Sequence, residues 1–484
     1  MKQLDKKKIT WVDWVKMGVV VGLYIWFLAW VDAWWGLIVV PFIFDIYITK
    51  RIPWTWWKEL ENPVTRTIMS WVDAIVFALV AVYFVNIYFF QNYTIPSSSL
   101  EKSLLVGDYL FVSKMSYGPR VPQTPLSLPL VQHTLPGGAK SYSELIQWDY
   151  KRVSPKPVGL NDIVVFNYPS GDTVVANPAY QAMDFYGLCM GYGQQIIAQN
   201  QQLPDIHSLT PTEQRRLLNF YRAVGRQYIT ENAAEFGEVM SRPVDRRENY
   251  VKRCVGLPGQ TLQIIDRIIY LDGEPNKEPE NVQYNYHVVL RDGRRDLPEQ
   301  VAHDLRLSSE DLVALHQTGV MPLTAATRER LLEMTDLVER IDVDTTGGYG
   351  DLYPLNAVTG WTRDNYGPIW IPKKGASIKL SIDNIAVYER PIAVYEGNKL
   401  EVRDDGTILI NDSVATSYTF KMDYYWMQGD NRHNSADSRY WGFVPEDHIV
   451  GKPIMIWLSI DKDRGWFDGH IRWSRLFRWV ESEE

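Results

Sequence analysis

The 484-residue chain has few of the residues that build disulfide scaffolds and metal sites. Its 2 cysteines are too few for a disulfide framework or a four-cysteine zinc site. Cys189 and Cys254 could pair in an oxidising compartment or simply pack in a core, and the sequence leaves both possibilities open.

Several catalytic and binding signatures are also missing. The sequence contains no H-E-x-x-H zinc-protease motif, no G-x-x-x-x-G-K-[ST] phosphate loop and no G-x-S-x-G nucleophile elbow. Its net charge of -8 argues against a general nucleic-acid binder, which would carry a basic surface. An enzyme with this sequence would therefore need a nucleophile that is activated in another way.

Apolar residues are instead concentrated before residue 91. Three apolar runs occupy residues 17–31, 34–48 and 74–90. Each is slightly shorter than the ~20 residues of a usual membrane span, and flanking Trp and Tyr extend each run as interfacial belts do. We expect residues 1–90 to form a membrane anchor with up to three transmembrane helices. The alternative is that the first two runs are buried core helices.

Basic residues predict the orientation of this anchor, because basic loops remain in the cytoplasm. We therefore expect the N-terminus and the loop before the third run to be cytoplasmic, and everything after Gln91 to lie on the outer face. The basic residues on which this prediction depends are Lys2, Lys6, Lys7, Lys8, Lys50, Arg51, Lys58 and Arg66.

Beyond residue 91, short β-branched runs separated by turn signals predict a mainly antiparallel β domain. We assign this β core to residues 91–169, 250–276 and 391–484. Two partly helical insertions are expected at residues 170–249 and 277–390. A capping box at Thr210 and Glu213 predicts a helix to about Tyr228, and residues 308–311 open a second helical region to about Ile341.

The predicted strands and the C-terminal segment complete this organisation. Residues 470–480 interleave arginines with aromatic residues, which is typical of a capping strand or helix and also of a membrane-surface segment. The strands are predicted at residues 163–166, 262–271, 400–403, 407–410, 424–427 and 453–460.

A possible nucleophile follows the third apolar run. Ser97, Ser98 and Ser99 are adjacent, and an extended chain from Phe90 to Ser99 reaches at most ~30 Å. A nucleophile here would act close to a membrane surface. A serine run after a membrane helix is also typical of a plain linker.

A possible base stands in a predicted strand, where Lys252 lies among apolar residues. Such a lysine either faces solvent or is buried. If it is buried beside a serine, desolvation lowers its pKa from ~10.4 toward neutrality, and it can act as the general base of a Ser-Lys site.

A third segment, residues 429–442, is rich in hydrogen-bonding side chains and reads G-D-N-R-H-N-S-A-D-S-R-Y-W-G. It could be a polar turn in which Asp437 and Arg439 pair at the surface. It could instead be a scaffold that positions the base.

Together and in this order, the three segments resemble the conserved boxes of bacterial type I signal peptidases. Residues 96–100 are similar to the start of that family's P-S-x-S-M-x-P-T-L box, and residues 252–259 to its K-R-x-V-G-L-P-G-D box. Residues 429–442 are similar to its G-D-N-R-D-N-S-x-D-S-R-Y-W-G box, and residues 161–166 to its R-G-D-I-V-V-F strand. The two insertions lie outside the resemblance.

The resemblance implies a signal-peptidase-like antiparallel β fold and a membrane-bound serine endopeptidase that cleaves signal peptides after small-x-small sites. It implies that Ser99 is the nucleophile, that Lys252 is the general base, and that the Ser97 hydroxyl and the Ser99 N–H form the oxyanion hole. It also assigns the following roles: Ser435 bonds the lysine amine; Asp437 and Arg439 hold the third box in place; Ile95, Leu104, Tyr250 and Val251 line a shallow pocket for a small side chain.

The same resemblance implies a location and partners. The location is the bacterial cytoplasmic (inner) membrane, with a multi-pass anchor and the catalytic domain on the outer, periplasmic face. The partners are exported preproteins with signal peptides, the lipid bilayer and the protein export machinery, without nucleic acid. No metal or other cofactor is expected, because a lysine base needs none.

The chain departs from the family pattern at a few positions, namely Leu100 for Met, Lys102-Ser103 for Pro-Thr, Gln260 for Asp and His433 for Asp. None of these removes a proton-transfer group. Two alternatives share some features. A self-cleaving Ser-Lys regulator would bring a DNA-binding segment and a cytosolic location. A membrane-anchored binding or assembly protein with a decayed site would use the insertions as its working part.

Overall fold

The computed structural model describes residues 9–169, 171, 173–177, 179–180, 183–346, 352–356, 358–467 and 469–480. The lysines Lys2, Lys6, Lys7 and Lys8 of the orientation prediction lie outside the described residues, as do parts of both predicted insertions at residues 170, 172, 178, 181–182, 347–351 and 357. The α-helices are α1 Trp11–Val31, α2 Val40–Phe44, α3 Pro63–Tyr88, α4 Phe185–Asn200, α5 Pro211–Glu231, α6 Ala233–Phe236, α7 Glu299–Asp304, α8 Ser309–Thr318, α9 Ala325–Glu333, α10 Ile385–Glu389 and α11 Ser438–Trp441.

The strands follow the third apolar run. They are β1 Phe90–Thr94, β2 Asp108–Ser113, β3 Ile163–Asn167, β4 Val174–Val175, β5 Val239–Met240, β6 Asn249–Gly256, β7 Thr261–Ile265, β8 Ile268–Leu271, β9 Glu274–Pro275, β10 Gln283–Leu290, β11 Val320–Thr324, β12 Val338–Val343, β13 Tyr366–Trp370, β14 Ser377–Lys379, β15 Leu400–Val402, β16 Ile408–Ile410, β17 Ser413–Val414, β18 Ser417–Thr419, β19 Tyr424–Gln428, β20 Val444–Pro445, β21 Ile449–Ser459 and β22 Arg478–Trp479.

Two N-terminal helices, α1 and α3, are long and apolar enough to cross a membrane, and nearly all of their side chains lie on the protein surface. Asn62 caps α3 by accepting a hydrogen bond from the N–H of Val64 at 2.9 Å. The helical segment that contains the second apolar run, Trp34–Thr49, is shorter. At 1.5 Å per residue, an α-helix of that length would span about 24 Å, which is less than the ~30 Å hydrocarbon core. It folds back on α1, where the Tyr24 hydroxyl donates to the Gly36 carbonyl at 2.8 Å.

The predicted antiparallel β domain is confirmed. Its main sheet has the order β1-β2-β21-β3-β6-β19-β20, and β22 pairs with β21. The long strand β21 pairs with β2 through residues 452–459 and with β3 through residues 449–451. The sheet is curled into a half-barrel, and this curl places β1 and β6 on opposite sides of one cavity.

A second sheet, β13-β7-β8-β9, packs beside the main sheet around one large hydrophobic cluster. Buried aromatic residues from both parts of the chain meet there, including Tyr366 at the start of β13 and Trp426 in β19. The predicted run 262–271 is two strands, because Asp266 and Arg267 both take positive φ angles and reverse the chain between β7 and β8.

In the first predicted insertion, the capping box of Thr210 and Glu213 opens α5 as expected. Helices α4 and α5 cross closely, because a Cβ on Gly225 would lie 1.9 Å from the Cys189 carbonyl oxygen. Cys189 in α4 and Cys254 in β6 are both buried and unpaired. Cys189 and Cys254 therefore do not form a disulfide with each other, which the sequence had left open.

In the second predicted insertion, the expectation of a helical region to Ile341 is confirmed for α8 and α9 and is wrong for β11 and β12, which are strands. Gly319 ends α8 in a left-handed conformation with φ 73°, which glycine tolerates without a steric penalty. Strand β11, helix α9 and strand β12 follow. Residues 283–343 form a three-stranded module with the sheet order β11-β10-β12 and a hydrophobic cluster of their own.

Candidate active site

Ser99 lies on the connection between β1 and β2, in a short 3-10 turn over residues 98–100. Neighbouring apolar side chains anchor this turn in the core, because Ile95, Leu100 and Leu104 share a buried hydrophobic cluster with Leu110 of β2. Ser99 is 8% exposed, whereas Ser97 is exposed and faces the cavity next to it. The local sequence therefore fixes the backbone with apolar anchors and directs two serine side chains toward one space.

Lys252 lies in the middle of β6, opposite Val164 of β3. Its side chain is 3% exposed, and its Nζ donates a hydrogen bond of 2.5 Å to the Ser99 Oγ. Burial lowers the pKa of Lys252 to about 8, although the negative charges of Asp437 and Asp430 act in the opposite direction. A buried amine with this pKa can accept a proton from the serine hydroxyl near neutral pH.

The loop after β19 is held by a fully buried ion pair between Asp437 and Arg439. The Arg439 Nε and an Nη donate to the two Asp437 carboxylate oxygens at 2.9 and 2.8 Å. Asp437 also accepts from the N–H of Gly429 at 3.3 Å, and Arg439 donates to the Arg432 carbonyl at 2.5 Å. Bidentate pairs of this kind are strong and directional, so both ends of the loop are fixed.

A second buried pair was not foreseen from the sequence. Arg253, the residue after Lys252, donates to both carboxylate oxygens of Asp430 at 2.8 and 2.7 Å. The Ser103 hydroxyl donates to the same carboxylate at 2.6 Å. Asp430 thus joins the loop to the strand of Lys252 and to the segment after Ser99. The G-D-N-R motif marked Asp430 as a candidate functional residue, but it did not indicate its partners Arg253 and Ser103, which are far away in sequence.

The same loop also holds the nucleophile backbone. The N–H of Asn431 donates to the Ser99 carbonyl at 3.0 Å, and the Asn431 side-chain amide donates to the Ser98 carbonyl at 3.3 Å. A Cβ on Gly429 would lie 2.5 Å from the Ser99 carbonyl oxygen and 2.3 Å from the Ser435 Oγ. Only glycine fits this approach, which brings the two segments together.

Ser435 is 1% exposed and lies beside Gly429. Within the described part of the chain, its hydroxyl donates to the Ala436 carbonyl at 3.4 Å, and its hydrogen bonds do not include one to the Lys252 amine. Ser435 is therefore next to the dyad, while the contact that the resemblance implies is not present in this conformation.

A cavity of about 930 Å³ opens beside the dyad. Ile95 and Ser97 line one side, Tyr250 and Val251 line the other, and Leu110 and Val165 form part of its wall. Leu104 does not line this cavity; it is completely buried in the core beneath it. Part of the lining is polar, where Glu248 contacts His133 and Arg242. The cavity is large enough to hold several residues of an extended peptide.

Within the described ranges, no group of three or more His, Cys, Asp or Glu side chains is arranged to hold a metal ion. The groups beside the cavity are instead a hydroxyl, an amine and the backbone of a short turn. This set suits acyl transfer with a serine nucleophile.

Comparison with known proteins found a matching family profile and several similar curated proteins. The sequence profile described as "Signal peptidase, peptidase S26" matches residues 68–315 and 374–458, which is more than half of the chain. Three curated relatives with the name Signal peptidase I are similar over short segments. The one from Buchnera aphidicola subsp. Acyrthosiphon pisum is 58% identical over 52 residues, which is 11% of this chain and 17% of the relative. The one from Haemophilus influenzae is 47% identical over 53 residues (11% and 15%), and the one from Aquifex aeolicus 46% over 48 residues (10% and 19%). The chain thus spans less than a fifth of the length of these relatives.

Proposed function

Because the chain belongs to the signal peptidase family S26, we propose that it is a membrane-bound serine endopeptidase that removes signal peptides from exported preproteins. One observation carries the proposal: the Ser99 Oγ and the Lys252 Nζ lie 2.5 Å apart in a buried site beside a peptide-sized cavity. The curated relatives that resemble the chain have the name Signal peptidase I, which supports preproteins with signal peptides as the substrate class.

In the first half of the reaction, the Ser99 Oγ attacks the carbonyl carbon of the scissile peptide bond while the neutral Lys252 amine takes the hydroxyl proton. The tetrahedral intermediate collapses, the C–N bond breaks, and Lys252 returns that proton to the leaving amine. The signal peptide remains as an ester on Ser99. In the second half, Lys252 takes a proton from a water whose oxygen attacks the ester carbonyl carbon. The bond between that carbon and the Ser99 Oγ breaks, Lys252 returns the proton to the Oγ, and the signal peptide leaves with a free carboxylate.

The lowered pKa of Lys252 supports its role as the base. With a pKa of about 8, about a tenth of the amine is neutral at pH 7. An exposed lysine would be neutral in well under one molecule in a thousand at that pH. Burial therefore supplies the active protonation state without a metal ion.

The oxyanion of the intermediate would be held by the N–H of Ser99 and the hydroxyl of Ser97. Ser97 is exposed toward the cavity, so its hydroxyl can rotate toward a bound carbonyl oxygen. Ser435 would donate to the lysine amine once substrate is bound, while Asp437 and Arg439 keep the loop in place. Leu104 would shape the small-residue pocket from beneath rather than touch the substrate.

The substrate would bind as an extended strand between β1 and β6. β1 is an edge strand of the sheet, and β19 pairs with β6 only from Arg253 onward. A peptide added here by main-chain hydrogen bonds places alternate side chains into pockets. Ile95, Tyr250 and Val251 would leave room for small side chains at two alternate positions, in agreement with small-x-small cleavage sites.

The anchor would place this site at a membrane. α3 ends at Tyr88, and β1 begins at Phe90. The nine peptide units from Phe90 to Ser99 limit the distance to at most ~30 Å. Basic residues before α3 keep that side in the cytoplasm, so the catalytic domain would face the periplasm of a bacterial inner membrane. There it would meet preproteins as the export machinery delivers them.

Cleavage of a preprotein by the full-length chain in lipid vesicles tests this proposal. The wild-type chain should release one signal peptide after a small-x-small site, as identified by the mass of the mature product. Lys252→Ala should release none, whereas Lys399→Ala, which removes a surface lysine paired with Asp412, should match the wild type. Full cleavage by Lys252→Ala, or none by the wild-type chain, would contradict the proposal.

A further inference from the structure

The three-stranded module of residues 283–343 can act as a rigid body. Its sheet β11-β10-β12 shares one hydrophobic cluster with helices α7, α8 and α9. Met321 and Leu331 are completely buried in that cluster. A packed core of its own means that contacts at the edge of this module are made by an ordered surface.

The first residues of β10 bind the loop after β19, residues 429–442, which we call the catalytic loop. The N–H of Gln283 donates to the Asp430 carbonyl at 2.8 Å, and the N–H of Asn285 donates to the Nδ1 of His433 at 3.2 Å. The side-chain amides of Asn285 and Asn434 also pair in both directions, at 3.2 and 2.7 Å. The start of β10 therefore lies against the loop, where Gln283 and Asn431 form an isolated parallel bridge.

Three hydrogen bonds continue from this contact to the backbone of the serine turn. Asn434 donates to the side-chain oxygen of Asn431 at 3.0 Å. Asn431 in turn donates to the carbonyls of Ser98 and Ser99, as described above. A polar chain of three asparagines thus runs from β10 of the module to the backbone of the serine turn.

The module also touches the segment after the nucleophile. The Nζ of Lys102 donates to the Arg306 carbonyl at 2.6 Å and lies 3.8 Å from a carboxylate oxygen of Asp311, which belongs to the first turn of α8. Lys102 is three residues after Ser99. The module therefore contacts both loops that meet at the dyad.

Two departures from the family pattern fall at these contacts. His433 stands where the resembled box has Asp, and it is bonded to Asn285 and, through its Nε2 at 2.7 Å, to Asp364. Lys102 stands where that pattern has Pro, and it reaches Arg306. An ionised aspartate at position 433 has no proton to donate to Asp364, and a proline at position 102 has no amine to donate to the Arg306 carbonyl.

We propose that the module of residues 283–343 is a built-in brace that holds the Ser99 turn against Lys252, with Asn285 and Lys102 as positioning residues. This inference rests on the proposed peptidase function, since it concerns the geometry of the same dyad. The module touches neither Ser99 nor Lys252 directly; it acts through Asn434 and Asn431 on one side and through residues 100–102 on the other.

The first experiment measures Asn285→Ala in two independent ways, with full-length protein in lipid vesicles. Amide hydrogen exchange at Asn431, whose N–H bonds the Ser99 carbonyl, should become about tenfold faster or more. The kcat for preprotein cleavage should fall about tenfold, as expected for the loss of one or two hydrogen bonds, while KM changes less than about twofold. The pH at which kcat is half-maximal should stay in place, because the surroundings of Lys252 do not change.

Arg340→Ala is the matched control, because Arg340 lies on β12 of the same module and pairs with Asp342 at the surface. It should leave the exchange rate at Asn431 and the kcat unchanged. Lys102→Met tests the second contact and should lower kcat in the same way, while Lys102→Arg, which keeps a donor, should restore most of it. If Asn285→Ala fails to fold, the comparison of Lys102→Met with Lys102→Arg tests the brace by itself.

The outcomes separate the two proposals. If Asn285→Ala and Lys102→Met leave both exchange and kcat unchanged, the brace is wrong. Faster exchange with unchanged kcat also overturns it, because the contact would then be structural only. If the wild-type chain cleaves no preprotein, the peptidase proposal fails, and unchanged exchange at Asn431 in Asn285→Ala would independently refute the brace.

Discussion

The Ser99 Oγ and the Lys252 Nζ lie 2.5 Å apart, although 153 positions separate the two residues in sequence. Ser99→Ala should therefore abolish preprotein cleavage, because it removes the hydroxyl to which the Lys252 amine is bonded. Ser98→Ala, one residue earlier in the same turn, should retain cleavage within about fivefold of wild type. Both variants should be compared by the rate of mature-product formation. An inactive Ser98→Ala with an active Ser99→Ala would assign the nucleophile to the neighbouring residue.

Cleavage should depend on pH through the Lys252 amine. Burial lowers its pKa to about 8, so kcat/KM should fall about tenfold for each pH unit below that value and level off above it. A rate that is flat between about pH 6 and pH 9 would contradict this base.

Glu101→Gln serves as the control for that profile. Burial raises the pKa of Glu101 to about 7, and this carboxyl lies two residues from the nucleophile. Its replacement should leave the limb near pH 8 in place. If the limb disappears in Glu101→Gln, the titrating group is the glutamate rather than the lysine.

Replacement of the base should stabilise the fold while it removes activity. Below pH 8 the buried Lys252 is charged in both the folded and the unfolded chain, and its lowered pKa corresponds to a cost of about 3 kcal/mol. Lys252→Met should therefore increase the free energy of unfolding, measured in denaturant at about pH 7.

The stability advantage of Lys252→Met should depend on pH. As pH rises from about 8 to about 10.5, the folded chain has already lost the proton that the unfolded chain still binds, so the cost to the wild type shrinks. The advantage of Lys252→Met should shrink over the same range. An advantage that instead grows with pH would show that desolvation of the charged amine is not its cause.

The Ser97 hydroxyl should contribute to the rate and not to binding. Ser97→Ala removes one of two oxyanion donors, which typically costs about 10²–10³ in kcat. KM should change little, because the donor strengthens its bond only when the carbonyl oxygen becomes negative. Ser97→Thr keeps a hydroxyl and should retain most of the rate. An equal loss in both variants would point to packing of the turn.

The loop around the dyad should depend on the Asp437–Arg439 pair for its stability. Asp437→Ala leaves a buried guanidinium without its carboxylate, which typically costs about 3–5 kcal/mol. Denaturant unfolding should show this loss. Asp412→Ala, which breaks the surface pair with Lys399, should change stability by less than about 1 kcal/mol. Similar effects of the two variants would mean that the buried pair does not hold the loop.

The local chemistry of the site could be predicted from the sequence, because its motifs are short and contiguous. The strand at residues 163–167 and the helix opened by Thr210 follow from local patterns in the same way. The burial of Lys252 did not follow, because an apolar–Lys–apolar pattern fits both an exposed and a buried lysine. Only the curl of the sheet, which is set by pairings between distant strands, decides between them.

Two further features escaped prediction for related reasons. The pair of Arg253 and Asp430 joins residues 177 positions apart, and no spacing rule connects them. In the second predicted insertion, leucines at helical spacing continued past Gly319, although that glycine was a readable end signal for α8. The contact of β10 with the catalytic loop depends on the docking of a whole module, which no local pattern encodes.

The two buried cysteines have a practical consequence. Thiol-directed reagents attack the thiolate, and burial raises the pKa of Cys189 to about 12 and that of Cys254 well above its ordinary value. Maleimide dyes and nitroxide spin labels should therefore leave both native residues untouched. A single cysteine introduced on the solvent side of α8 could then report, by fluorescence or electron spin resonance, how the chain moves as it engages a substrate.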